Sequence, residues 1–210
     1  MTYKFKIDEY SLPDSGELNL SNPTWQLDWS RAMLLVHDMQ EYFIKPIPDR
    51  LRIAVTTNTS TLVRLARVAG AAIAYTGQPG RMNFSERGLL QDFWGEGMSS
   101  TEQDRKIIEA VNPQPNDLYL TKWRYSAYTR TALAAELTDR KKDQLVICGV
   151  YSHVGILATA LDSLARDIQC FVVADAIADF SKSYHITTLQ YIAERCGKVI
   201  FMENLYGQQS

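Results

Sequence analysis

The chain has 210 residues, 46% of them hydrophobic and 22% charged, and its 22 basic against 24 acidic side chains leave a formal charge of −2. That balance excludes a disordered chain, which lacks apolar surface to bury, and disfavours a nucleic-acid partner, which needs a cationic excess. No run approaches the about 20 apolar residues of a membrane span, and residues 1–20 lack the basic start and apolar middle of a secretory leader. No membrane partner is expected, and the expected location is cytoplasmic.

The length suits one domain, residues 1–210, with residues 1–30 as an N-terminal arm. Pro13, Gly16 and Pro23 interrupt that arm and no periodic apolar face runs through it. Beyond it, short β-branched apolar runs alternate with longer segments of helical period. Strands are expected at Ala32 to His37, Ala71 to Thr76, Leu118 to Thr121, Gln144 to Val150, Gln169 to Ala174 and Lys198 to Met202. Helices are expected at about Arg52 to Ala69, Gln103 to Val111, Thr129 to Arg140, Val154 to Arg166 and Tyr184 to Arg195. The alternation predicts an α/β fold, a Rossmann-like three-layer α/β/α sandwich around a mainly parallel six-stranded sheet. The stretch from Gly77 to Gly97 breaks the pattern, and a long loop following a strand is a candidate lid.

Ligands of open parallel sheets collect beyond the carboxyl ends of the strands. The sequence places Asp38 and Gln40 there after the first strand, Gln78 and Arg87 after the second, and Lys122, Trp123, Arg124 and Tyr125 after the third. The fourth strand adds Tyr151, Ser152, His153 and Gly155, and the fifth adds Asp175 and Asp179. Carboxylates, cations, amides and aromatics converging on one cleft suit a small anionic, partly apolar ligand.

Several of these residues have a plain structural reading beside the functional one. Asp38-Met39-Gln40-Glu41 has capping-box spacing, which would make Asp38 a helix N-cap. Paired with Lys122 it is either a proton-transfer couple or a structural ion pair. Arg87 suits a solvated loop, Gln78 before Pro79-Gly80 suits a turn, and Gly155 serves either ligand approach to a helix N-terminus or tight strand-to-helix packing. His37, His153 and His185 lack metal-ligand spacing, so they are read as caps or packed side chains and no metal is expected. Cys148 and Cys170 fall in apolar strands and Cys196 at a helix end, which reads as three reduced, inert thiols. Without a G-x-G-x-x-G, a P-loop or a G-x-S-x-G elbow, no cofactor and no serine nucleophile is expected.

Four blocks carry a resemblance: Leu34-Leu35-Val36-His37-Asp38-Met39-Gln40-Glu41-Tyr42-Phe43, Thr121-Lys122-Trp123-Arg124-Tyr125-Ser126-Ala127, Cys148-Gly149-Val150-Tyr151-Ser152-His153-Val154-Gly155, and Val173-Ala174-Asp175-Ala176-Ile177-Ala178-Asp179-Phe180-Ser181. In this order, over about Trp25 to Met202, they resemble the isochorismatase family. The wider superfamily includes cysteine hydrolases with an Asp, Lys and Cys triad, and here the nucleophile position is similar to Gly155, which argues against covalent amide hydrolysis. The resemblance therefore implies the branch that hydrolyses vinyl ethers. The stretches around Phe43 to Asp49, Gln78 to Asn83 and Arg87 to Leu90 resemble the phenazine-pathway members, which act on 2-amino-2-deoxyisochorismate; isochorismate is the alternative substrate. It further implies Asp38 as proton donor with Lys122 beside it, Gln78, Arg87 and Lys122 as substrate-binding groups, and Tyr151 with the Gly155 backbone completing a polar frame. Trp94 and Tyr125 are implied as apolar walls, the ligand as a small chorismate-derived molecule, and the assembly as a homodimer. The rival from another class is a catalytically silent binding protein that retains the fold.

Overall fold

The computed structural model describes residues 5–99 and 101–206. In chain order the elements are β1 (Ala32–His37), α1 (Glu41–Ile44), α2 (Asp49–Val68), β2 (Ala72–Gly77), α3 (Phe84–Arg87), α4 (Leu90–Trp94), α5 (Glu102–Arg105), β3 (Leu118–Thr121), α6 (Leu133–Asp139), β4 (Gln144–Val150), α7 (Leu157–Leu164), β5 (Gln169–Ala178), α8 (Lys182–Arg195), β6 (Lys198–Ile200) and α9 (Glu203–Tyr206). A π-helical turn, Ser152–Ile156, leads from β4 into α7.

β1 is buried at all six positions. Its side chains alternate between two separate apolar clusters, Leu34 and Val36 in one and Met33 and Leu35 in the other. β4 and β5 do the same: Val146, Cys148, Phe171 and Val173 face one way, Leu145, Ile147, Cys170 and Val172 the other. A strand covered on both faces needs the near-continuous apolar run seen in the sequence. The first face is covered by α2, through Leu51, Val55, Leu62, Val63 and Ala66, and by Ile7 and Tyr10 of the N-terminal arm. The second is covered by Leu133 and Leu137 of α6, Ala160 of α7, and Leu189 and Ile192 of α8. This is the expected three-layer sandwich.

The six strands are parallel and ordered β3-β2-β1-β4-β5-β6. Chain direction across the sheet therefore reverses between β1 and β4, and that crevice is where such sheets bind ligands. Register is pinned there by Gly149, paired with His37. Gly149 has φ +111°, and a Cβ on it would run into the His37 backbone, so neither the conformation nor the approach of β4 to β1 tolerates a side chain.

The described part of the arm is tied down at both ends. Asp8 N–H donates to the Phe180 carbonyl at 2.8 Å. The Asn22 amide pairs with both backbone groups of Val199, at 2.9 and 2.8 Å, and so occupies hydrogen-bonding groups of the last strand.

Several expected elements differ in extent: α2 starts three residues earlier than expected, and the helix expected at Val154 to Arg166 is the π-helical turn followed by α7. The helix expected at Gln103 to Val111 is split into α5 and a 3-10 turn at Glu109–Val111, because Ile107 bridges Gln40 in antiparallel fashion and Ile108 N–H donates to Met39 at 2.9 Å; two buried β-branched residues favour that extended link over a continued helix. Residues 129–132 form turns before α6, and the Thr131 hydroxyl turned back onto the Ala127 carbonyl holds them so. β5 runs to Ala178, past the expected end at Ala174, and β6 stops at Ile200, short of the expected Met202.

Candidate active site

A cavity of about 1040 Å³ opens at the carboxyl end of the sheet, and Asp38, Gln78, Arg87, Trp94, Lys122, Tyr125, Tyr151 and Gly155 all line it. All eight residues singled out from the sequence thus meet in one place. Gln40, Trp123, Ser152, His153, Asp175 and Asp179, also placed at the cleft by strand order, do not line it. Asp175 lies within β5 and accepts the Met202 N–H at 2.9 Å. Asp179 is fully buried and accepts from the Ser152 hydroxyl, from His153 N–H at 2.8 Å and from Phe180 N–H at 2.8 Å, so it ties β5 to the turn after β4. Gln40 supports the site from behind: its amide takes the Gln78 N–H at 2.7 Å and donates to the Gln78 and Arg105 carbonyls at 2.9 and 2.8 Å.

Asp38 is not a helix cap. α1 starts at Glu41 with Gln40 at its N-cap position, and Asp38 stands before it with φ +50°, a left-handed conformation that aspartate tolerates better than most residues. Its N–H donates to the Thr76 hydroxyl at 3.0 Å, and that hydroxyl donates back to Oδ1 at 2.6 Å. Lys122 Nζ lies 2.8 Å from Oδ2. The capping box of this region sits elsewhere, at Asn83 and Glu86, where it starts α3.

Both partners of the pair are buried, Asp38 at 5% exposure and Lys122 at 2%. Burial raises the Asp38 carboxyl, but the charge of Lys122 beside it and the hydrogen bonds from Lys122 and Thr76 oppose burial, and Asp38 is held below the usual carboxylate range. Asp38 is therefore a carboxylate at rest. In that state Asp38 accepts a proton and donates none until something changes the balance.

Arg87 shows the opposite situation. It is 4% exposed, its Nε donates to the Gly95 carbonyl at 2.9 Å, and Nη1 lies 3.5 Å from Gln78 Oε1. Among the described residues no carboxylate comes within ion-pair distance of it. Burial pushes its guanidinium below the ordinary arginine value. A solvated loop residue it is not; a buried cation without an anion is complementary to an anionic ligand.

The stretch from 77 to 97 folds as α3 and α4 and covers the cavity with Gln78, Met82, Arg87 and Trp94. Trp94 Nε1 donates to the Tyr125 hydroxyl at 2.7 Å, which joins this cover to the segment after β3. Tyr151 donates its hydroxyl to the Phe43 carbonyl at 2.5 Å. The sequence reading missed two groups. Phe5 of the arm stacks on Phe180 at 4.7 Å and meets Tyr151 and Trp94 edge-on at 5.7 and 6.1 Å, an aromatic wall assembled from four distant segments. His37 lies beneath Gly155, where only the three-dimensional neighbour of a glycine could have revealed it.

Residues 32–204 match the model of the isochorismatase domain. The phenazine biosynthesis protein PhzD of Pseudomonas fluorescens is 50% identical over 194 residues, 92% of this chain and 94% of that protein. Enterobactin synthase component B of Escherichia coli K12 is 37% identical over 95% of this chain and 71% of its own length. A cysteine hydrolase from Pseudomonas syringae pv. phaseolicola 1448A shares the fold at TM-score 0.80, with 24% identity over 90% of this chain and 96% of that one. With its whole sheet and every cavity-lining strand end inside the matched region, the chain belongs to the isochorismatase family.

Proposed function

We propose that the protein hydrolyses the vinyl ether of 2-amino-2-deoxyisochorismate to trans-2,3-dihydro-3-hydroxyanthranilate and pyruvate. One observation carries the reading: a buried carboxylate–ammonium pair, Asp38 and Lys122, shares a cavity with the unmatched Arg87, and the position facing them, Gly155, offers no nucleophile. The 50% identity to a phenazine biosynthesis protein favours the amino substrate over isochorismate.

The chemistry needs a proton on carbon. Asp38, as a carboxylic acid, protonates the terminal methylene; the C=C electron pair forms the new C–H bond and leaves an oxocarbenium ion. The regenerated carboxylate faces that cation and accepts a proton from the water that adds to it. The hemiketal then breaks its bond to the ring oxygen, which leaves as the alcohol with a proton, and pyruvate forms. Arg87 and Gln78 bind the acidic substrate, Lys122 takes a substrate carboxylate or hydroxyl, and Tyr151 and the Gly155 backbone complete the polar frame. Trp94 and Tyr125 limit bulk water around the cation. The same reading includes a homodimer, which rests on the family likeness and is checked by sedimentation, and a cytoplasmic location, which is checked by cell fractionation.

The test is pyruvate release from the amino and hydroxyl substrates, as kcat/KM, by the wild type and Asp38→Ala. Turnover favouring the amino compound, abolished in the variant while substrate still binds, is expected because the acid acts only in the transition state. Higher kcat/KM on isochorismate would move the substrate to the alternative. Asp38→Ala with intact kcat would refute the assignment of the acid, and a wild type without pyruvate from either would favour a silent binding protein.

A further inference from the structure

The missing side chain at Gly155 has a physical cause in the structure. A Cβ built there would overlap Cε1 of His37, stand 2.7 Å from its Nε2 and lie 3.1 Å from the Tyr125 carbonyl oxygen. The imidazole is the object filling the space. His37 closes β1, is 1% exposed, and its Nδ1 lies 2.7 Å from the Val150 carbonyl. A carbonyl only accepts, so Nδ1 carries the proton. Burial lowers the imidazole below its ordinary value against the pull of Asp38, so the ring is neutral near pH 7.

The same ring borders the catalytic pair. Nδ1 is 3.8 Å from Asp38 Oδ2, too far for a hydrogen bond and close enough to limit where the carboxylate swings. Asp38 is thereby enclosed on three sides: the Thr76 hydroxyl at 2.6 Å, Lys122 at 2.8 Å, and the His37 edge. The remaining side opens on the cavity.

We propose that His37 is a positioning residue for Asp38: seated in the space Gly155 leaves and tethered to the Val150 carbonyl, its ring aims the carboxyl at the substrate. The proposal deepens the reading of Asp38 as proton donor and rests on it. Its structural corollary is that an imidazole at 37 and any side chain at 155 exclude each other. The two positions form one unit, and a cysteine at 155 requires a smaller residue at 37.

The test uses the full chain carrying Gly155→Ala, His37→Ala, both together, and His37→Asn, whose Nδ2 can donate from nearly the same place as Nδ1. Thermal midpoints are read first. Gly155→Ala is expected to lower the midpoint strongly alone and little on the His37→Ala background, since a ring removed leaves room for the methyl. Kinetics on the vinyl ether are read second. His37→Ala is expected to lower kcat about 100-fold with KM within about threefold, the cost of a misplaced acid rather than a lost binding group. His37→Asn is expected to recover most of that loss. Additive midpoints would overturn the exclusion. A kcat unmoved by His37→Ala, or equally low in His37→Asn, would overturn the positioning role; should Gly155→Ala not fold, with His37→Ala in the same chain restoring folding, the exclusion stands. If the wild type releases no pyruvate, the reaction reading fails while the midpoint cycle still decides whether the two positions are one unit.

Discussion

Replacing Lys122 by methionine retains most of the stem's volume and removes the ammonium 2.8 Å from Asp38. The carboxylate then stays buried with only Thr76 and His37 beside it, and breaking a buried pair in this way costs about 3–5 kcal/mol. The pH dependence separates this cost from a simple packing loss. In the wild type the Asp38 carboxyl is held below its unfolded value, so its contribution to stability is present above the ordinary carboxylate range near 4 and is lost as pH falls through the folded value. Burial is the largest influence on Asp38, and in Lys122→Met the charge and hydrogen bond of Lys122 no longer oppose it, so the shift is expected to reverse sign. The variant's contribution is then fully present below about pH 4 and lost as pH rises. The gap between wild type and Lys122→Met is therefore expected to be about 3–5 kcal/mol at pH 7.5 and distinctly smaller at pH 4.5. Urea unfolding followed by the fluorescence of the four tryptophans measures it at both values. A gap that is constant, or that widens toward acid, would refute the buried ion pair as the origin of Asp38's ionisation.

Arg87→Met is expected to raise KM by about 10- to 150-fold, the equivalent of about 1.5–3 kcal/mol for hydrogen bonds to a charged group, while kcat moves less. Its ligand-free thermal midpoint should fall little, because an unpaired buried cation disappears with the side chain; an unchanged KM would remove Arg87 from the substrate. Phe5→Ala takes away a stack and two edge contacts worth about 0.5–1.5 kcal/mol each, and the expected readout is a several-fold higher KM, with identical kinetics counting against the arm as a wall of the cavity. Cys148, Cys170 and Cys196 are buried, and burial pushes the thiols up, Cys196 to about 11. Iodoacetamide at neutral pH should leave turnover intact, and stoichiometric inactivation of the native protein would contradict a mechanism without a thiol.

Burial on two faces writes itself into sequence as an apolar run, and β1 and β4, buried throughout, lie at their expected bounds; β3, an edge strand with only Leu120 buried, lies at its expected bounds as well. The cleft was legible because strand ends converge at one sheet edge whatever the loops do, which brought Asp38 and Lys122 together across 84 positions. Contacts set by tertiary approach were hidden. Asp38-Met39-Gln40-Glu41 has the spacing of a cap, yet Lys122 and Thr76 claim the carboxylate before a helix can use it. Asn83-Phe84-Ser85-Glu86 has the same signature and does form the box, being at the surface where nothing competes. Phe5 sits in an arm without any periodic signal, and its partners come from residues 94, 151 and 180. His37 reads as one more packed histidine until the empty side of Gly155 is measured.

Charge counting explains how a site built to keep Asp38 ionised could deliver a proton. At rest the floor of the cavity is balanced, with Asp38 matched by Lys122, while Arg87 carries an unmatched charge. A substrate that places one carboxylate on Arg87 and another group on Lys122 draws the ammonium's charge away from Asp38. Burial, already the largest influence on that carboxyl, then prevails and favours the neutral acid. On this argument the substrate itself creates the acid that attacks it, and binding takes up a proton from solvent. A substrate esterified at the carboxylate that reaches Lys122 leaves the ammonium to Asp38. Such an ester is expected to bind with no proton uptake and to lose kcat by a much larger factor than it gains in KM. Proton release or uptake on mixing in weak buffer reads the first quantity directly, and an ester turned over as fast as the free acid would show that Asp38 is protonated by some other route.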